Sequence, residues 1–358
     1  MTANIASPTL TKYEQLYSKY SQTLICPCKH ISINYEKFLS IEYTFHQVCT
    51  SFFITNDWIS YIDVPPTGYY VSGDFRVTGP YQFGTLRAFC ELINSTMSYS
   101  LIQFNSQQYI TAFVTPSELF QSQTQSFIDQ FKLSTTNNFL LSLNMTRKTI
   151  QGNVLLSGKQ TNYKLNKVNK TSVLSTSSRI YDSCICALSN TCIDNSSLFN
   201  GPYLYRVFNV TGFYVGCYTT EALLRSTLEC FYNQTCIDNL QIYLSSRSPM
   251  YVTALDSSLP SQYSEYSTIE NLLNSLMIEE WNPTQMYDRY YDECQPIECT
   301  YTIITRNNIL YVITTLIGII GGLTRVSKIL VPISVKIIVY CIRKWRNRVV
   351  PQISIIQT

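Results

Sequence analysis

The chain has 358 residues, of which 45% are hydrophobic and only 14% charged, with 28 tyrosines and 17 phenylalanines. That length builds one large domain or two smaller ones, and a surface of Ser, Thr, Asn, Gln and Tyr suits an extracellular protein better than a cytosolic one. The net charge of +3 hides a split: residues 308–358 hold seven cations and no acid, leaving 19 Lys+Arg against 23 Asp+Glu upstream. The basic excess belongs to the tail, so it argues for no nucleic-acid partner.

Residues 1–112 alternate apolar and turn-rich stretches: SFFIT at 51–55, Pro65-Pro66-Thr67-Gly68, and YQFGTLRAF at 81–89. They read as short strands and loops. A helix is expected over 115–131, with Thr115 as N-cap, Pro116 at its first position, Glu118 completing a capping box, and Phe120, Phe127 and Phe131 on one face. Residues 158–180 are polar and cysteine-free, so an exposed loop or subdomain boundary is expected within 158–183. A cysteine-dense block follows. In it YLYRVFNV (203–210) suggests a strand, and TTEALLRSTLECFY (219–232) a short helix with Leu224, Leu228 and Phe231 facing the core. Ser267 and Glu270 cap a last helical run, in which Ile269, Leu272, Leu273, Leu276 and Met277 recur at helical spacing.

Residues 308–324 carry no charge over 17 positions. Extended to Leu330, with Arg325 and Lys328 snorkelling, the run reaches the ~20 residues that cross ~30 Å of hydrocarbon. Cations follow the span, while Glu279, Glu280, Asp288, Asp292, Glu293 and Glu298 precede it. The expected layout is therefore an extracellular domain at 1–307, a transmembrane helix at 308–330 and a basic cytoplasmic tail at 331–358, in the plasma membrane. The polar start, MTANIASPTLTKYEQLYSKY, has no signal-peptide core. An upstream hydrophobic segment, a signal peptide or a first span, is therefore expected to be missing. Arg325, Lys328, Lys336 and Arg343 fall within about 80° of one another at 100° per residue. They read either as an amphipathic extension meeting anionic headgroups or as the polar stripe of one continuous helix kinked at Pro332. Cys341 is a candidate palmitoylation site or a spectator thiol.

The other cysteines precede the span: Cys26, Cys28, Cys49, Cys90, Cys184, Cys186, Cys192, Cys217, Cys230, Cys236, Cys294 and Cys299. An even set on one side of a membrane is expected to form disulfides, in pairings the sequence leaves open. Six glycosylation sequons lie in the same region, at Asn94, Asn144, Asn169, Asn195, Asn209 and Asn233, and none lies in residues 308–358. With Cys26, Cys28 and Cys49, the two histidines, His30 and His46, could in principle wrap zinc; disulfide formation uses the same cysteines more simply. Acids between 279 and 298 read as a solvated face rather than a calcium site, since no EF-hand spacing supports one. No hydrolase, metalloprotease or phosphate-loop motif occurs. The expectation is no catalysis, no cofactor and no metal.

The stretches TLICPCKHISINYEKF…HQVCTSFF (23–53), GFYVGCYTTEALLRSTLECFYNQTC (212–236) and YYDECQPIEC…GLT (290–324) resemble a large invertebrate family of uncharacterised Cys-rich membrane glycoproteins. That resemblance runs across most of the chain and implies topology but no activity; members often begin with a hydrophobic segment. In layout the chain is also similar to the degenerin/epithelial sodium channel family, through YEQLYSKYSQTLICPC and Ile320-Gly321-Gly322 inside the span. This implies two-span subunits in a trimer. The family's Gly-x-Ser filter is replaced here by Ile329-Leu330-Val331, and Arg325 and Lys328 would repel Na⁺. The fold expected is α+β, a disulfide-rich extracellular domain followed by a C-terminal transmembrane helix and a basic amphipathic extension. The function expected is recognition or adhesion at the cell surface, with a degenerin-like, ligand-gated cation-channel subunit as the alternative. Expected partners are the lipid bilayer, an unknown extracellular ligand or protein, and further copies of the chain (three if channel-like).

Overall fold

The computed structural model describes residues 1–63, 71, 73–167, 174–200, 205–244, 248–303 and 309–349. In chain order the elements are β1 (Thr2–Ala6), α1 (Leu10–Tyr20), β2 (Ser32–Asn34), β3 (Leu39–Phe45), α2 (Asn56–Ile62), α3 (Phe75–Asn105), β4 (Gln108–Ile110), α4 (Ser117–Gly152), β5 (Tyr163–Lys167), β6 (Leu174–Ser178), β7 (Ile180–Tyr181) and β8 (Cys184–Ile185). There follow β9 (Ile193–Asn200), β10 (Tyr205–Gly216), α5 (Thr219–Arg225), α6 (Glu229–Tyr232), α7 (Gln234–Tyr243), α8 (Ile269–Leu273), β11 (Ile278–Gln285), α9 (Tyr287–Cys294), β12 (Glu298–Thr302) and α10 (Ile309–Val349). Helix and strand are thus mixed, and the described strands pair only two by two, each time antiparallel.

The chain divides into two units, Met1–Ala6 with Thr11–Ile25 and Glu298–Thr358, and Ser7–Leu10 with Cys26–Ile297. The stretch 158–183 lies inside the second unit, and residues 1–25 are shared between the two. In the first unit β1 pairs with β12 from Thr2↔Thr302 to Ala6↔Glu298, and Ile25 bridges Thr300. Tyr20 at the end of α1 stacks on Tyr301 at 4.6 Å. The ribbon ends where Ile303 N–H donates to the Met1 carbonyl, six residues before α10 begins.

The second unit is built on two long helices and an aromatic core. Trp58, Phe53, Phe75, Phe83, Phe213 and Phe231 are all at most 1% exposed. Helix α3 replaces the strand expected over 81–89. Its start is fixed by Asp74, whose Oδ1 accepts from Arg76 N–H and whose carboxylate grips the Arg76 guanidinium. Pro80 deletes one ladder bond, a cost of ~3 kcal/mol that burial of Phe75, Phe83, Leu86, Ile93 and Met97 along the helix offsets. A stretch that reads locally as broken is helical because this row must face the core.

Helix α4 begins near the expected place but runs to Gly152, far beyond 131. Thr115 is not its cap: its hydroxyl accepts from Tyr109 and Tyr290, and Pro116 holds the N-cap position without a side-chain bond. The Ser/Thr/Asn-rich second half has weak helix propensity, yet Thr135 and Phe139 continue the buried row. The stretch expected to be one helix over 219–232 is broken into α5 and α6 at Ser226, with Leu224, Leu228 and Phe231 buried as expected.

The last helical run is also shorter than its apolar pattern. Helix α8 is capped by Thr268, not Ser267, and stops at Leu273. Leu276 and Met277 take left-handed backbone conformations (φ 55° and 50°) that turn the chain into β11, yet both stay fully buried. Strand β11 then pairs with β3 across seven registered positions from Ile278↔Phe45 to Gln285↔Leu39. Between β9 and β10 a bulge brings Gly212 to φ +73°, where an added Cβ would lie 2.0 Å from Thr227 Oγ1. Only glycine fits there. The expected Pro65–Gly68 turn falls outside the described residues.

Candidate functional site: a long apolar helix and a disulfide-braced surface

Helix α10 has 41 residues, roughly 61 Å at 1.5 Å per residue and about twice the hydrocarbon thickness. It passes through Pro332 as one continuous helix, and it is long and apolar enough to cross a membrane, with none of its apolar window buried within the chain. If Ile309 marks one hydrocarbon boundary, Arg325 lies about 24 Å along the axis, close to the other. Lys328, Lys336 and Arg343 follow it at the helical spacing that puts them on one face. Within the apolar stretch Thr314 and Thr315 donate to the Tyr311 carbonyl, and Thr324 to those of Ile320 and Gly321. Their hydroxyls are thereby satisfied within the helix, as lipid demands. A Cβ added at Gly321 or Gly322 would meet nothing within 4 Å; packing within this chain does not require those glycines. Cys341 is exposed and unbonded.

All twelve upstream cysteines are disulfide-bonded. The bridges include Cys28–Cys294, Cys49–Cys90, Cys184–Cys192, Cys186–Cys217 and Cys230–Cys236; Cys26 and Cys299 are bonded as well. The zinc alternative loses its ligands this way, since Cys28 and Cys49 are taken and His30 turns its Nδ1 to the Glu293 carbonyl. The sulfurs of Cys186, Cys192 and Cys217 lie within 4.8 Å of one another. They belong to two neighbouring disulfides and carry no thiolate for a metal. Asn94, Asn144, Asn195, Asn209 and Asn233 are all exposed, and Asn169 falls outside the described residues. Asn233 also caps α7 by accepting from Cys236 N–H, while Asn209 Oδ1 accepts from Ser197 Oγ.

One histidine that the sequence offered as a metal ligand sits in a buried polar cluster. His46 follows the last residue of β3 and is 1% exposed. Its Nδ1 accepts from Val48 N–H, so the neutral ring carries its proton on Nε2, which lies 3.0 Å from the Tyr232 hydroxyl and 3.7 Å from Glu279. Burial lowers its pKa from 6.5 to about 4 and raises that of Tyr232 to about 12. Ser261 bonds Glu279 rather than the imidazole. The hydroxyl that His46 meets is the phenol of Tyr232, and the Ser261 hydroxyl is turned to the carboxylate, so no serine stands on the imidazole as a Ser-His triad would require. The cluster ties β3 and β11 to α6.

A part-buried ion-pair network crosses the same unit. Arg147 of α4 grips Glu221 of α5 through two contacts of 2.6 and 2.7 Å and reaches Glu270 of α8 at 2.8 Å. Sequence spacing gave no sign of it, because its three members are 49 to 123 residues apart.

No protein-family model matches this chain, and no curated protein and no solved structure matches it.

Proposed function

We propose that the protein is a plasma-membrane glycoprotein whose disulfide-braced N-terminal part is extracellular and serves recognition or adhesion rather than catalysis. The observation that carries this reading is a coincidence of sides. Every bonded cysteine and every sequon precedes α10, and seven cations with no acid follow its apolar stretch. Oxidised cysteines belong to an oxidising compartment, and cations flank the cytoplasmic end of a span. Exposure of the five described sequon asparagines supports glycan attachment. The resemblance to the invertebrate Cys-rich membrane glycoproteins fits the same layout.

A channel subunit of degenerin type is the second reading. The pairing of β1 with β12 favours it: Met1 lies opposite Ile303, close in sequence to the start of α10, where a two-span subunit would need its other span. Whole-cell current in cells expressing the full-length transcript, with surface delivery confirmed by glycosidase-sensitive mobility, separates the readings. Glycosylated surface protein without current under ligand or acid leaves a recognition protein. An evoked cation current abolished by replacing Gly321 and Gly322 would overturn that reading.

A further inference from the structure

Helices α3 and α4 line a cleft of about 380 Å³ with an uncharged polar rim. Ser100 and Gln103 lie along one face of α3, with Gln107 just beyond its end; Gln130, Ser134 and Asn138 recur along one face of α4. These polar side chains are exposed or half-buried and form the rim of the cleft. Here amides and hydroxyls stand over an aromatic floor. Tyr35 stacks on Phe127 at 5.4 Å with ring planes 12° apart and packs against Phe104 at 5.1 Å, which meets Phe131 at 4.9 Å. A second cavity of about 560 Å³ shares Tyr35 and Phe127 with the first and is bordered by Gln108 and Gln123. No charged side chain among the described residues lines either cavity.

We propose that this double cleft binds a neutral oligosaccharide, which would give the recognition reading its ligand class. Gln and Asn side chains both donate and accept, matching vicinal sugar hydroxyls that do the same. The half-buried Phe127 and, in the second cavity, the exposed Phe113 offer ring surface to the apolar C–H face of a pyranose, and a concave site with an apolar floor and a few convergent polar groups is the usual form of a small-ligand pocket. An uncharged lining offers nothing to sialylated or phosphorylated ligands. Two cavities meeting at Phe127 give room for more than one sugar residue. A peptide strand would instead seek an open sheet edge for its backbone, whereas both walls of the first cavity are helical.

The test is isothermal titration of the full-length protein in lipid nanodiscs, its own glycans trimmed, with cellotriose, chitotriose and mannotriose. At least one is expected to bind with a millimolar or tighter Kd. The double variant Gln130→Ala/Asn138→Ala changes only exposed amides and is expected to weaken binding about tenfold; Phe127→Ala should weaken it at least as much. No heat from any of the three sugars, unchanged affinity in the double variant, or binding of an uncharged Gln/Ser peptide in their place would each overturn the proposal. Surface labelling of the same variants reads membrane topology independently, so a silent cleft refutes the ligand class without touching the recognition reading.

Discussion

Two parts of the second unit reach stability by different means. Around α2 and α3, Phe53, Trp58, Phe75, Phe83, Phe213 and Phe231 meet ring against ring, with centroid separations of 5.0 to 6.5 Å. In the block from β7 to β10 the buried cluster is Tyr181, Cys186, Cys192, Val215, Cys217 and Tyr218, while Ile180, Ile185 and Leu188 stay exposed. There β7 and β8 are two residues each, too short to enclose a core of their own. Bridges such as Cys184–Cys192 and Cys186–Cys217 close it instead. Even the backbone is used: Cys217 N–H donates to the Cys192 carbonyl, and an added Cβ at Gly216 would lie 2.4 Å from that oxygen. A long chain can therefore hold one region by burial and another by covalent closure.

If that contrast is real, Phe83→Ala should have the largest and most widespread effect. It removes a fully buried ring touching Phe53, Trp58, Phe75, Phe213 and Phe231, and should cost about 4 kcal/mol. Its denaturant midpoint should fall and hydrogen exchange should quicken throughout α2 and α3. Removing the bridge with Cys186→Ala/Cys217→Ala frees a loop with a sequence separation of 31, worth about 3.5 kcal/mol in the chain-entropy account. Faster exchange should stay within residues 180–217. Equal spread into α3 would show that the two regions are one cooperative block.

The polar cluster that joins β3 and β11 to α6 should report on pH. His46 has a folded-state pKa of about 4, below its ordinary 6.5. Between those values the unfolded chain binds a proton that the folded chain refuses, so stability is complete above pH 6.5 and falls as pH drops towards 4. The full loss is about 3 kcal/mol. His46→Gln, which keeps a hydrogen-bonding side chain, should flatten that part of the stability profile measured by urea unfolding. A profile unchanged by the substitution would mean that other groups carry it.

Much of the architecture was legible, but unevenly. The apolar run before Arg325, the cation asymmetry and the even cysteine set are local or countable features, and they survive as α10 and six disulfides. The strand expected over 203–210, described from Tyr205 onward as part of β10 with 203–204 outside the described residues, and the buried Leu224, Leu228 and Phe231 were visible because periodicity reports which side faces a core. Helix α3 was missed because Gly79-Pro80 and scattered aromatics look like turns and strands when read alone. The ends of α8 misled for the opposite reason: apolar spacing continued through Leu276 and Met277 after the backbone had left the helix.

The sequence by itself determined composition, the charge asymmetry about the apolar run and that run's length, since each depends on residue types summed over short windows. Only the tertiary structure decided which cysteines pair, for Cys28 and Cys294 are 266 residues apart and nothing local selects one partner among many. It alone brought Arg147 to Glu221, buried His46 against Tyr232, and set the amides of α3 and α4 across one cleft. Those contacts join segments that attract one another only after the chain has closed around its core. Loop closure and burial, not propensity, choose them.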